Sequence, residues 1–180
     1  MIVLGIDPGS RFMGYGILEV VGSRERIIEC GVLQLDTEDD HQLRLKRVYD
    51  RVSEIASQYP PDECAIEMPV YGRNPQSMLK LGRAQAAAMM AVLNRQVPVT
   101  EYTPKEVKKA VTGKGNATKE QVSYMVRAIL SIDAPDRMTL DATDALAVGL
   151  CHAHRLSHGA SSKHKSWESF VRSNPGRVGR

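Results

Sequence analysis

"IVLGIDPGSRFMGYGILEV", residues 2–20, decides how the rest of the chain is read. Ile2-Val3-Leu4 opens an apolar run within residues 1–7 that ends in an acid, Asp7, and Pro8-Gly9 then turns the chain. Gly14 to Val21 alternates glycine with bulky residues and reads as a strand returning beside the first. Gly22-Ser23 punctuates again before a third strand, Arg26 to Leu35. The three predict an antiparallel meander. A carboxylate at the end of a buried strand is costly unless something pairs with it, so Asp7 needs a reason to be there.

Beyond the meander the apolar period changes. In "TEDDHQLRLKRVYDRVSEIASQYP", Leu45, Val48, Val52 and Ile55 fall at helical spacing. Thr37 with Asp39 or Asp40 offers caps, and Pro60-Pro61 ends the helix. "ECAIEM" is a short strand closing on a second acid, Glu67, and the loop "PVYGRNPQS" leads to a helix over residues 76–95. "VPVTEY" is a fifth strand, and Thr103-Pro104 opens the helix "KEVKKAVTG". "GKGNAT" links it to a helix from Thr118 to Leu130, and a last helix begins near Asp141. Strands first, then alternating helix and strand, predict an α/β fold with a mixed sheet and helices on both faces. There is no internal repeat. Residues 1–157 are expected to form one domain, and the Ser-, Gly-, Lys- and Arg-rich residues 158–180 a basic, mostly disordered tail.

The 180 residues suffice for a real core, and a hydrophobic content of 42% is ordinary for a soluble domain. No run approaches the roughly 18 apolar residues of a membrane helix, and no secretory leader is visible. Cys30, Cys64 and Cys151 are odd in number and far apart, which fits reduced thiols in a cytoplasmic protein. Charge is uneven: residues 71–127 carry 10 Lys/Arg against 3 Asp/Glu, while residues 1–70 carry 7 against 13. Basic segments attract phosphate polymers by counterion release, although a single such cluster is commonly just a solvated face.

A third acidic feature joins Asp7 and Glu67: Asp141 and Asp144 in "LDATDALAVGL", spaced i, i+3 on one helix face. Helix-start chemistry accounts for that pair equally well, with Asp141 as N-cap and Asp144 in the first turn. If the first and fourth strands are neighbours, however, Asp7 and Glu67 lie close, and the last helix can bring Asp141 and Asp144 to them. Four clustered carboxylates repel one another and call for cations. Their hard oxygens suit Mg²⁺ or Mn²⁺, and a two-ion site activates water and stabilises the leaving oxygen of a phosphodiester.

"GIDPGSRFMGYG", "AIEMPVYGRNPQSMLKLGRAQ" and "DATDALAVG" resemble the three acidic motifs of the RuvC family of bacterial Holliday-junction resolvases, and the likeness runs from about Ile2 to about His154. The resemblance implies a ribonuclease H-like fold with a mixed five-stranded sheet, three antiparallel strands followed by two parallel ones. It implies a homodimer that nicks two opposed strands of four-way junction DNA through two Mg²⁺ per active site, with Mn²⁺ possible, in recombination and DNA repair. The metal-binding catalytic acids map onto Asp7, Glu67, Asp141 and Asp144, with Asp7 bridging the ions. A partner complex for branch migration (RuvA and RuvB) is implied as well.

Under the same resemblance Lys108 and Lys119 match basic positions near the scissile phosphate, where charge steadies the transition state. Arg73, Lys80, Arg83, Lys105, Lys109 and Lys114 are further candidate phosphate contacts. Where the family carries an aromatic at the junction centre, this chain has Val70, with Tyr71 one step on. Leu79, Ala86, Met89, Met90 and Leu93 supply either core or the two-fold interface. "GKGNATK" lacks phosphate-loop spacing, and Cys151, His152 and His154 read as the fraying end of a helix. The glycines after Asp7 are expected to keep the hairpin slim for a nucleic-acid backbone. Two other functions stay open: a ribonuclease H-like nuclease acting on RNA, and a junction-binding protein without catalysis. The four acids weigh against the second, since phosphate binding is easier without them.

Overall fold

The computed structural model describes residues 1–35, 40–69, 74–132 and 138–159, with backbone alone at 158 and 159. Strand β1 (Ile2–Asp7) pairs antiparallel with β2 (Phe12–Val21), which pairs antiparallel with β3 (Arg24–Gln34). β2 and β3 each begin two residues earlier than the sequence predicts. After helix α1 (His41–Gln58), strand β4 (Glu63–Glu67) lies parallel to β1 on its other side. Helix α2 (Pro75–Leu93) crosses over to β5 (Val99–Tyr102), parallel to β4. Helices α3 (Pro104–Thr112), α4 (Lys119–Ile129) and α5 (Leu140–Gly159) follow. The sheet order is β3-β2-β1-β4-β5, the expected mixed five-stranded, ribonuclease H-like arrangement.

Strand alternation sorts the core into two layers. Leu4, Ile6, Met13, Tyr15, Ile17, Cys64 and Ile66 pack with Val48, Val52 and Ile55 of α1 and Ala88, Ala91 and Val92 of α2. Val3, Leu18, Ala65 and Tyr102 face the other way, onto Val107 of α3, Val122 and Val126 of α4, and Leu146, Ala147, Val148 and Leu150 of α5. Between them β1 and β2 present glycine to α5. A Cβ on Gly5 would stand 2.2 Å from the Ala145 carbonyl oxygen, one on Gly14 2.0 Å from that of Asp141, and one on Gly16 2.6 Å from Leu146 Cδ2. This corrects the expected role of these glycines: they admit a helix rather than thin the hairpin for a ligand.

Each helix start carries its own chemistry. Asp40 caps α1 by accepting from the Leu43 amide at 2.7 Å; Thr37 and Asp39 lie outside the described residues. Asn74 caps α2, ahead of Pro75, and α3 and α4 open with capping boxes, Thr103 with Glu106 and Thr118 with Gln121. "GKGNATK" is the connection between these two helices: Gly113 takes the left-handed C-cap at φ 77°, and Ala117 is buried. Helix α5 continues past Cys151, His152 and Ala153, all buried, to Gly159. The "CHAH" segment is therefore core rather than a fraying end, with Tyr102 Oη 2.9 Å from His152 Nδ1. The expected tail begins two residues inside this helix; residues 160–180 lie outside the described residues. Burial pushes the thiols of Cys64 and Cys151 up to about 12 and about 11, holding both protonated. No helix among the described residues is long and apolar enough to cross a membrane.

Candidate active site

Parallel pairing of Ile6 with Ile66 sets Asp7 and Glu67 side by side at the carboxyl ends of β1 and β4. Both follow a residue that packs toward α1 and α2, so the pleat turns both acids to the α5 side. Opposite them, Asp144 lies one turn into α5. The Thr139 hydroxyl accepts from the Ala142 amide at 3.3 Å and its carbonyl accepts from the Thr143 amide. The cap is therefore Thr139, and Asp141 has no capping duty to explain it.

Asp7, Glu67, Asp144, Lys108 and Lys119 line one recess of about 260 Å³, walled by Pro104 and Val107 of α3, Val122 of α4 and Ala147 of α5. Asp141 stands just outside this lining, but its charge still acts on Asp7. Lys119 Nζ donates to Asp144 Oδ2 at 2.9 Å, with the lysine side chain 64% exposed and the aspartate 16%. That bond holds the ammonium above its usual range. Burial, then the charges of Asp144 and Asp141, raise Asp7 to about 6 against the opposing pull of Lys119. Burial, then Asp7 and Asp144, raise Glu67 to about 8, moderated by Lys119 and Lys108. Negative charge is thus packed beyond what two lysines offset.

All six side chains singled out from the sequence gather at this edge. Val70, Tyr71 and Arg73 lie outside the described residues. Lys80 and Arg83 sit on α2, behind the sheet, and Lys109 lines a separate groove beside Tyr102 and Arg155. The apolar walls, Val107 and Ala147, come from α3 and α5. Nothing in the sequence marks them as site residues, since they act by removing water from the acids.

The chemistry of the donor set suits a divalent cation. Carboxylate oxygens, those of Asp7 and Glu67 with proton affinities raised by burial and then by neighbouring acids, are hard donors that a small cation would relieve. Among the described residues no three such side chains already converge as a ready-made cage, and Asp144 is engaged by Lys119. The chemistry fits, with the Lys119 contact having to yield.

Residues 3–152 match the family described as crossover junction endodeoxyribonuclease RuvC. A relative of that name from Salinibacter ruber is 53% identical over 178 residues, 99% of each chain. The structure of Thermus thermophilus RuvC superposes with a TM-score of 0.80 at 34% identity, covering 88% of this chain and 97% of that one. T. thermophilus RuvC in complex with a Holliday junction substrate gives the same score at 31% identity. Yeast mitochondrial Ydc2, a Holliday junction resolvase, shares the fold at a TM-score of 0.66 and 11% identity. With a family match over residues 3–152 and relatives alike over nearly the whole length, the chain belongs to the RuvC family of crossover junction endodeoxyribonucleases.

Proposed function

We propose that this chain resolves Holliday junctions by metal-dependent hydrolysis, with Asp7, Glu67, Asp141 and Asp144 as the metal ligands. The observation that carries the reading is the convergence of carboxylates from β1, β4 and α5 in one walled recess, where burial and then mutual repulsion raise Asp7 and Glu67. Mg²⁺, two per site, or Mn²⁺ in its place, supplies a Lewis acid that lowers the pKa of water and neutralises charge on the phosphoryl oxygens. The four carboxylates hold that charge at the sheet edge, and Val107, Val122 and Ala147 keep the recess poor in bulk water. Lys119, mostly exposed and released from Asp144 when that carboxylate takes a cation, and Lys108, facing Glu67, would grip the scissile phosphate and steady the transition state.

A homodimer presents two such sites to two equivalent strands, which makes the nicks paired and symmetric. Its support here is a stripe on α2: Leu79, Met90 and Leu93 are 54%, 49% and 43% exposed, with Ala86 between them. The inward face of that helix is instead Ala84, Gln85, Ala88, Ala91 and Val92. The nuclease domain runs to the end of α5 at residue 159, works in the cytoplasm, and acts with a branch-migration complex (RuvA and RuvB), as befits the family.

The test is cleavage of a synthetic four-way junction, plain duplex and RNA/DNA hybrid, each with Mg²⁺ or chelator. Asp141→Asn should lower junction cleavage at least about 10³-fold while leaving binding near wild type. Retained cleavage in that variant sinks the ligand assignment. Preference for the hybrid supports the RNA-directed reading, and binding without cleavage by the wild type supports the architectural one.

A further inference from the structure

The sheet face opposite the acids carries a cluster of the other sign. His41, the first residue of α1, and Arg44, one turn on, share a narrow space with Ser10 and Lys80. His41 Nε2 and Arg44 Nε are buried there, and neither meets a hydrogen-bond partner. Desolvation, then Arg83, Arg44 and Lys80, hold His41 below the usual imidazole range, and among the described residues Asp40 opposes them. Three cations from two helices are thus gathered around a histidine, against the single carboxylate of Asp40 among the described residues. Like charges so placed cost free energy unless an anion joins them, and the amino end of the 18-residue α1 adds to the attraction.

The position of the cluster points to the anion. β3 ends at Gln34 beside Phe12, at the same sheet edge as Asp7, and the Leu35 amide donates to the Arg11 carbonyl at 2.8 Å. Ser10 is three residues past Asp7, at most about 10 Å of chain. A nucleic-acid strand advances about 3.4 Å per phosphate, so a strand lying on the acid recess reaches the cluster within a few nucleotides.

We propose that His41, Arg44, Lys80 and Arg83, with Ser10, hold a backbone phosphate of the DNA strand that crosses the sheet edge from the acid recess, a few nucleotides from the cut. The site is a second anchor behind the sheet, distinct from the lysines at the acids, and it rests on the junction-nuclease reading.

Junction binding in chelator, titrated across salt concentrations, tests it. Lys80 and Arg83 are exposed, so Lys80→Gln/Arg83→Gln should keep the fold and its melting temperature. The double variant should weaken junction binding roughly tenfold near 0.1 M salt and lower the slope of log Kd against log salt by about one to two. Arg95→Gln, an exposed cation just past the far end of α2, should change neither binding nor slope. An unchanged affinity and slope in the double variant, or an equal loss in Arg95→Gln, overturns the anchor. A wild-type chain that neither binds nor cuts the junction overturns the nuclease reading itself, an outcome no variant can mimic.

Discussion

On the α5 side, β1 and β2 present Gly5, Gly14 and Gly16; on the other side the same strands present Leu4, Ile6, Met13, Tyr15 and Ile17. Large side chains keep α1 and α2 at ordinary packing distance, and that layer is held by interdigitation. Glycine lets α5 descend until its backbone touches the strands. Only that approach brings Asp141 and Asp144 within electrostatic reach of Asp7. One layer is built for stability, the other trades side-chain packing for the placement of charge.

The contrast breaks most visibly when a methyl group is added to the thin layer. Gly5→Ala puts a carbon 2.2 Å from a helix carbonyl and 2.8 Å from the Gly149 amide nitrogen, neither of which can swing aside. Destabilisation of about 3 kcal/mol or more is expected, with a melting temperature lower by about 6–12 °C. Junction cleavage by the folded fraction should fall about 10²-fold, because the acids separate. Ile55→Ala, a deletion in the thick layer at a side chain only 2% exposed, should cost about 2–3 kcal/mol. Its cleavage per folded molecule should stay near wild type. Thermal unfolding with single-turnover cleavage separates the two; a Gly5→Ala protein that cuts normally removes the role assigned to the glycines.

The next effect has the opposite sign. Glu67 is raised to about 8 from an ordinary 4.5, first by burial. The folded state therefore binds this proton more tightly than the unfolded state does. Its ionisation destabilises the fold as pH rises from about 4.5 to about 8, and the penalty vanishes below that window. In chelator, Glu67→Gln should raise stability near neutral pH by about 1–2 kcal/mol, a few degrees of melting temperature, and the gain should fade toward pH 4. Added Mg²⁺ should stabilise the wild type and not the variant. A variant less stable than wild type at pH 8 would contradict the crowding.

Most of the architecture was legible because it is local. Apolar runs, the Pro8-Gly9 turn and the capping threonines announce their elements within a few residues, and the acids stood out as charges at strand ends. What stayed hidden is set by contacts between distant segments. The alternation of Gly14 and Gly16 with Met13, Tyr15 and Ile17 marks two faces without saying what each face meets. A bare backbone accommodates a helix or a ligand equally well, and the helix position decided it. His152 looked polar and terminal, yet Tyr102, fifty residues earlier, gives it a buried partner. Asp141 looked like a cap until Thr139 took that place. The gathering of charge at His41 stayed hidden, since Lys80 and Arg83 reach it from α2.

The finest separation of the two layers comes from their helix caps. Thr118 Oγ1 accepts from the Gln121 amide at 3.3 Å, the Thr118 amide donates to Gln121 Oε1 at 3.0 Å, and the next residue is Lys119. Asp40 performs the same service for α1. Removing either cap, Thr118→Ala or Asp40→Ala, should cost about 1 kcal/mol, so denaturant melts of the two variants should nearly coincide. Their cleavage should not. Loosening the first turn of α4 unseats the ammonium that rests on Asp144, so Thr118→Ala should slow single-turnover cleavage several-fold. Asp40→Ala leaves the acid recess untouched and should cut saturated junction at the wild-type rate. Equal cleavage by the two would mean that Lys119 does not need its helix cap to act, and that charge at this edge is placed by α5 alone.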